Sequence, residues 1–280
     1  MATVSQVTAT ESTPKAEDSR TTNLIGLLSE EVRDPSRRFH LIGIAGCIGL
    51  IAWMFQDCLW QFMDSWTRDE NYSHGFLVPL ISIYFANLSA QKGPVRREGG
   101  VIIGMTALVV ALMVRMITIP LPIPFLADFA LLVGLAGSFT LLFGAEALRR
   151  YWFAFFFLIF MIPLPIALYS RVASPLQLLA SQAASGVMNA SGVPVLREGN
   201  KLTLPGNVEM FVAEACSGMR QLTGFIALTA AVAFLTCRPA WYRVLIVLSA
   251  IPIALTANIA RVVLTGYIMH FVNPSYASGA

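Results

Sequence analysis

Gly99-Gly-Val-Ile-Ile-Gly-Met-Thr-Ala-Leu-Val-Val-Ala-Leu-Met-Val-Arg-Met-Ile-Thr118 is twenty residues long and holds a single charge, Arg115. A helix needs about 20 mostly apolar residues to cross the hydrocarbon of a bilayer, and this stretch has that length. The composition agrees: 56% of the chain is hydrophobic and 12% is charged, where a soluble domain carries roughly a quarter charged residues. The mean hydropathy is +0.67. So few charges cannot cover a water-soluble surface on a chain of 280 residues. The fold class is therefore an all-α polytopic membrane protein. Disorder of the bulk of the chain is excluded, and four cysteines are too few for a disulfide-dense scaffold. A net charge of +3, spread over scattered Lys and Arg, leaves no footprint for nucleic acid.

Working outward from 99–118, further apolar runs fall at about 39–56, 75–90, 126–145, 151–170, 219–236 and 241–260, which makes about seven transmembrane helices. A last apolar stretch, 262–272, is too short to span alone. Residues 1–38 are rich in Ser, Thr and mixed charge and read as a disordered cytoplasmic tail. A polar leader of that length does not fit a cleavable signal peptide, so the first helix is expected to act as an uncleaved signal-anchor. Alternate connections carry twelve Lys and Arg on one side and four on the other. The positive-inside rule then puts the amino terminus in the cytoplasm.

That orientation places one long connection, about 171–218, on the outer face. Val172, Leu176, Leu178, Leu179, Ala183 and Val187 are spaced as on an amphipathic helix lying along a membrane. Val193-Pro-Val-Leu-Arg-Glu-Gly-Asn-Lys-Leu-Thr-Leu-Pro-Gly-Asn-Val-Glu-Met-Phe-Val212 alternates in polarity and carries two Gly-Asn turn signals, so it predicts a β-hairpin or three short strands. Pro163-Leu-Pro165 should kink the fifth span.

The informative polar residues are those at membrane depth, where an ionisable group is costly unless paired or solvated. In Glu214-Ala-Cys-Ser-Gly-Met-Arg220, Cys216 and Arg220 stand four apart and share a helix face. A thiol at a helix amino terminus beside a guanidinium has both influences that lower its pKa. The plainer reading is a small buried cysteine with an arginine reaching to the headgroups. Asn258-Ile-Ala-Arg261 lies at the outer end of the seventh span. There Arg261 is either an interfacial anchor or a cationic donor level with Cys216, because spans six and seven are joined by a short turn. Tyr72-Ser-His74-Gly-Phe76 opens the second span, with His74 as a structural cap or a base. His40 belongs to the inner side, so His74 and His270 are the two histidines able to reach an outer thiol. Arg115 is explained by snorkelling. A Cys58–Cys216 disulfide is open, as both face outward. No Cys-x-x-Cys or His-x-x-x-His pairing suggests a metal.

Together these motifs carry a resemblance. Glu214-Ala-Cys-Ser-Gly-Met-Arg220, followed by Ala257-Asn-Ile-Ala-Arg-Val262, resembles the core of the exosortase/archaeosortase family. Asn71-Tyr-Ser-His-Gly-Phe-Leu-Val-Pro79, Met161-Ile-Pro-Leu-Pro165 and Val195-Leu-Arg-Glu-Gly-Asn200 are similar to its other segments, in the same order. The likeness covers about 40–272, so residues 39–280 read as an exosortase-like transmembrane domain. It implies a multi-pass enzyme of the bacterial inner membrane with its active site on the periplasmic face. Its partners would be exported proteins whose carboxy-terminal sorting signal joins a Pro-Glu-Pro-type motif, a membrane helix and a basic tail. Cys216 matches the family nucleophile, which forms a thioester and passes the acyl group to an unknown acceptor amine or to water. Arg261 matches the family's catalytic arginine. A guanidinium scarcely deprotonates, so its implied role is electrostatic stabilisation. The family's third residue is a His beyond that arginine, for which His270 or His74 could stand, with Glu214 and Arg220 in support. Nothing in this chemistry calls for ATP, a metal or an organic cofactor. Two other readings stand beside it: a transporter, which predicts broken helices in two related halves, and a catalytically silent scaffold for envelope or exopolysaccharide assembly.

Overall fold

The computed structural model describes residues 38–93, 95, 99–121, 123–206, 208–212 and 219–271. Nearly all of the expected tail lies outside them. The described chain runs α1 (Arg38–Met54), α2 (Gln56–Arg68), a 3-10 segment (Glu70–Phe76), α3 (Leu77–Ala90), α4 (Val101–Thr118) and α5 (Pro124–Phe143). It continues with α6 (Ala145–Phe157), a 3-10 turn (Leu158–Met161), α7 (Ile166–Ala190), strands β1 (Leu196–Glu198), β2 (Lys201–Leu204) and β3 (Val208–Phe211), α8 (Met219–Leu235) and α9 (Ala240–Phe271).

The surface is that of a protein made to meet lipid. Ile102 is 82% exposed and Ile166 85%, a pattern water does not tolerate over whole helix faces. Three helices, α4, α5 and α9, are long and apolar enough to cross a membrane, and α6 with α7 would make a fourth if that bent pair is one span. The remaining hydropathy runs become shorter helices. The run at 39–56 ends where α1 gives way to α2 around Phe55, and the run at 75–90 starts in the 3-10 segment before α3.

Within the bundle, small residues set the closest approach. A Cβ on Gly104 of α4 would sit 2.9 Å from the Gly137 carbonyl oxygen of α5 and 2.7 Å from Leu141 Cγ. Helices in lipid gain little from hydrophobic expulsion, so such backbone contact is what van der Waals packing can use. Elsewhere aromatic rings fill the core. Phe234 of α8 stacks on Phe153 of α6 at 3.8 Å, and Phe85 of α3 meets both Phe153 and Phe157 edge-on.

At Pro163-Leu-Pro165 the chain does more than kink: α6 and α7 are bent by 79°. Proline removes the amide donor and clashes with the preceding turn, so the break exposes backbone groups. The Tyr72 hydroxyl accepts the Leu164 amide at 3.1 Å, and the Trp66 indole donates to the Met161 carbonyl at 3.1 Å. A side chain on Gly75 would overlap that indole, with 2.2 Å to its Nε1.

The stretch read as an amphipathic helix falls within α7, which begins earlier than the spacing suggested. Its stripe of Ala173, Ala180, Ser181, Ala184, Ser185 and Met188 is buried, while Leu178, Leu179 and Val187 are exposed. The three short strands form an antiparallel sheet in the order β1-β2-β3, with Leu202 opposite Met210. Gly199 and Gly206 make its turns at φ +66° and +85°, a left-handed region that glycine enters without penalty.

The apolar stretch past Arg261, too short to span alone, continues the seventh span, because α9 runs unbroken for 32 residues to Phe271. At 1.5 Å per residue it is about 48 Å long, well over the ~30 Å of hydrocarbon. Past Arg261 one face of α9 packs on the sheet, while Leu264 and Phe271 on the other are exposed. Val262, Val263 and Met269 share a buried cluster with Met188 of α7 and with Leu202, Leu204, Met210 and Val212.

Gly104→Val should destabilise the protein by about 1–3 kcal/mol through overpacking of α4 on α5, read as a lower thermal midpoint in detergent. Gly49→Val, with nothing within 4 Å of its would-be Cβ, should leave the midpoint close to wild type.

Candidate active site

The site is framed by the last hairpin. Helices α8 and α9 pack against each other across a connection of four residues, 236–239. Sixteen residues along each arm from Leu235 and Ala240 come Met219 and Thr256. Asn258 and Arg261 therefore stand just past the level at which α8 begins, by about 3 and 7 Å at the helical rise. Arg261 is exposed, whereas Asn258 is 1% exposed. Both amide atoms of Asn258 lack a hydrogen-bond partner among the described residues. An unpaired buried amide costs roughly 1–3 kcal/mol, which makes it the least satisfied side chain of α9.

Cys216 and Glu214 lie outside the described residues, as does the side chain of Arg220. Their flanks are described. Val212 is 1% exposed and belongs to the cluster that holds Val262 and Val263 of α9, while Met219 opens the helix that pairs with α9. Of the described flanks, Val212 is thus packed on α9 just past Arg261, and Met219 begins the helix that pairs with α9.

His74 is half-buried in the 3-10 segment, which packs against α8 and against the turn 158–161. Burial holds its pKa below the ordinary 6.5, and hydrogen bonds to the Phe160 and Asn71 carbonyls work the other way. The same segment gives Tyr72 to the proline break, and burial raises the Tyr72 phenol above its usual value. His270 is placed differently. It lies in the last turn of α9 with its ring 4.6 Å from Phe271. Nine residues past Arg261, it sits about 13 Å further along the helix and half a turn round. The structure brings Asn258 and Arg261 together and sets His270 apart from them.

One expectation needs correction, and one open alternative is closed. Arg115 does not snorkel: its side chain is 10% exposed, and it pairs with Asp57 at 2.6 Å while its Nε donates to the Met54 carbonyl at 3.0 Å. The guanidinium is held inside because α2 supplies a carboxylate and the α1 end supplies a free carbonyl. Nor is there a Cys58–Cys216 disulfide, for Cys58 is a free thiol, 3% exposed in the main core. Burial first, and then the neighbouring Asp128 carboxylate, push that thiol up to about 12, which leaves it inert. Asp128 itself escaped the sequence reading. It is 1% exposed, and neither carboxyl oxygen has a well-formed hydrogen bond among the described residues. A lone acid inside the apolar run 126–145 was the signal that could have found it. Among the described residues no three His, Cys, Asp or Glu side chains gather as a metal set.

Long apolar helices with exposed apolar faces, packed with a small sheet, define a multi-pass membrane protein. The family model for the transmembrane exosortases matches residues 66–280, so the chain belongs to that family. No curated protein and no solved structure matches it.

The lowered His74 pKa has a definite sign. Above pH 6.5 the imidazole is neutral in both folded and unfolded chains; below it the unfolded chain takes up the proton first, so stability falls as the pH drops towards the folded value. Replacing His74 with Gln should flatten the decline of the thermal midpoint between about pH 7 and pH 5. An unchanged slope would remove His74 as its cause.

Proposed function

We propose that this chain is a membrane-embedded cysteine transpeptidase/protease that cleaves the carboxy-terminal sorting signal of exported proteins. In this reading Cys216 attacks the scissile carbonyl as a thiolate and forms a thioester, which an acceptor amine or water then resolves. Arg261 stabilises the thiolate and the developing oxyanion. The observation that supports the reading is where the described flanks lie: Val212 shares a buried cluster with Val262 and Val263 of α9, and Met219 opens α8, which packs on α9.

Family membership supports the chemistry, and the excess length of α9 supports the setting. A helix longer than the hydrocarbon, packed at its far end on a sheet, holds its functional groups at the water boundary. With the amino terminus in the cytoplasm of a bacterial cell, that boundary is the periplasmic face of the inner membrane. The shorter helices α1, α3 and α8 complete about seven crossings, and α7 lies along the outer surface with Leu178, Leu179 and Val187 towards lipid. A substrate with a Pro-Glu-Pro-type motif, a membrane helix and a basic tail fits this orientation. Its tail stays on the cytoplasmic side and its scissile bond emerges beside Cys216.

The test uses membranes containing the chain and a protein that bears such a signal. A hydroxylamine-sensitive adduct should be found on Cys216 by mass spectrometry, and Cys216→Ala should abolish both adduct and processing while leaving membrane insertion intact. Arg261→Ala should slow adduct formation by ~10²–10³, the usual loss for one oxyanion donor. Processing that continues in Cys216→Ala would instead mark the chain as a scaffold for another enzyme.

A further inference from the structure

The end of the bundle away from the sheet has a lopsided charge. A Cβ on Gly100, at the start of α4, would lie 2.5 Å from the Ala145 nitrogen that opens α6. Arg150 of α6 donates to the Gly93 carbonyl, just past α3, at 3.0 Å. Phe234, next to the end of α8, stacks on Phe153 of α6 and so brings the 236–239 connection to the same end. Lys92, Arg149, Arg150, Arg238 and Arg243 therefore gather there, and of the described acidic residues only Glu146 joins them. The other described acids belong to the opposite end: to α2 and the 3-10 segment after it, to the first turns of α5, and to the strands.

Within this basic end one seam is more specific than the rest. Arg149 stands three residues before Trp152 and four before Phe153, so the three share a face of α6. Phe153 on that face stacks with Phe234, and Trp152 meets the same ring edge-on at 6.5 Å while staying 53% exposed. Arg238 comes four residues past Phe234. The seam between α6 and α8 thus runs from two exposed guanidiniums, Arg149 and Arg238, to an indole and then, one turn on, to the exposed ring of Phe156. Exposed Trp241, just past the same connection, marks the level of the membrane boundary, where indoles concentrate. Cations at that boundary with apolar rings above them match an amphiphile that has an anionic head and an acyl tail. A soluble anion would use the cations and leave the rings idle.

We propose that Arg149 and Arg238 bind the phosphate of an anionic phospholipid, whose acyl chain lies along Trp152 and Phe156. The seam is open to lipid, so the headgroup reaches both guanidiniums without any rearrangement. The positive-inside rule turns this end towards the cytoplasmic leaflet, whose negative surface potential draws such cations. The bound lipid sets the level of α6 and of the final hairpin in the membrane. It takes no part in bond making at the other end, so the proposal stands apart from the chemistry assigned to Cys216.

The test uses the full chain purified in a nonionic detergent, where both ends are reachable and orientation does not enter. Dioctanoyl-phosphatidylglycerol, dioctanoyl-phosphatidylcholine and inorganic phosphate are titrated separately. Binding is read from the thermal midpoint and from the lipid retained in native mass spectrometry. Phosphatidylglycerol should bind about thirtyfold tighter than phosphatidylcholine, roughly fivefold for each arginine. Arg149→Gln and Arg238→Gln should each lose about fivefold of that preference, and the double variant nearly all of it. Arg171→Gln, an exposed arginine of α7 at the opposite end, should stay within about twofold of wild type. Because the replaced side chains are exposed, midpoints without lipid should match wild type; should the double variant fail to purify, the two single variants carry the test. Equal binding of the two lipids would overturn the proposal, as would a preference that survives in every variant. A matching loss in Arg171→Gln would reduce the effect to net charge and overturn it too. Inorganic phosphate binding as tightly as phosphatidylglycerol would make this a site for a free anion and contradict the lipid assignment.

Discussion

The structure depends on one packing contact: the far third of α9 buried against α7 and the small sheet. Met188, Leu202, Met210, Val212, Val262 and Met269 close that contact, and a Cβ on Gly266 would meet Met188 Sδ at 2.8 Å. Inside a bilayer, apolar side chains gain little by leaving lipid for protein. In the proposed orientation this end lies past the hydrocarbon, where the same residues would otherwise face water and burying them is worth about 25 cal/mol for each Å². The hydrophobic effect then acts with full strength beside the proposed site. The sheet is small because its task is small: it covers the helix end and delivers the chain, through Val212, to the segment that follows.

The broken helix is the second constraint, and it has a different physics. Lipid-exposed backbone groups must be satisfied within the protein, and the Pro163–Pro165 break leaves several without a helical partner. Trp66 of α2 and Tyr72 and His74 of the 3-10 segment answer them, with Gly75 kept small so the indole can lie against it. That segment also packs on α8. The sharp turn into α7 and the start of the final hairpin are thus held by one piece of chain, which ties the fold's irregular parts to the candidate site.

Much of this was legible in the residues, for identifiable reasons. The apolar runs, the strand alternation and the Gly199 and Gly206 turns are local signals, and the structure follows them. The packing past Arg261 was not legible because hydropathy does not distinguish a side chain facing lipid from one facing a sheet. Arg115 misled because its partner, Asp57, is 58 positions away, a pairing only the fold creates. Asp128 and Asn258 passed unweighed for the same reason: a polar letter in an apolar run carries no mark of whether it is satisfied. The Cys216 motif lies outside the described residues, so its placement rests on its flanks and on the family match.

The central claim is that Cys216 and Arg261 share the end of the last hairpin, and proximity tests it most directly. In a chain with Cys47, Cys58 and Cys237 replaced by Ser, Arg261→Cys should form an intramolecular disulfide with Cys216 under mild oxidation. His270→Cys, half a turn round α9 and about 13 Å further along, should not. Cross-linking at 270 with none at 261 would contradict the account and move the nucleophile to the other face of α9.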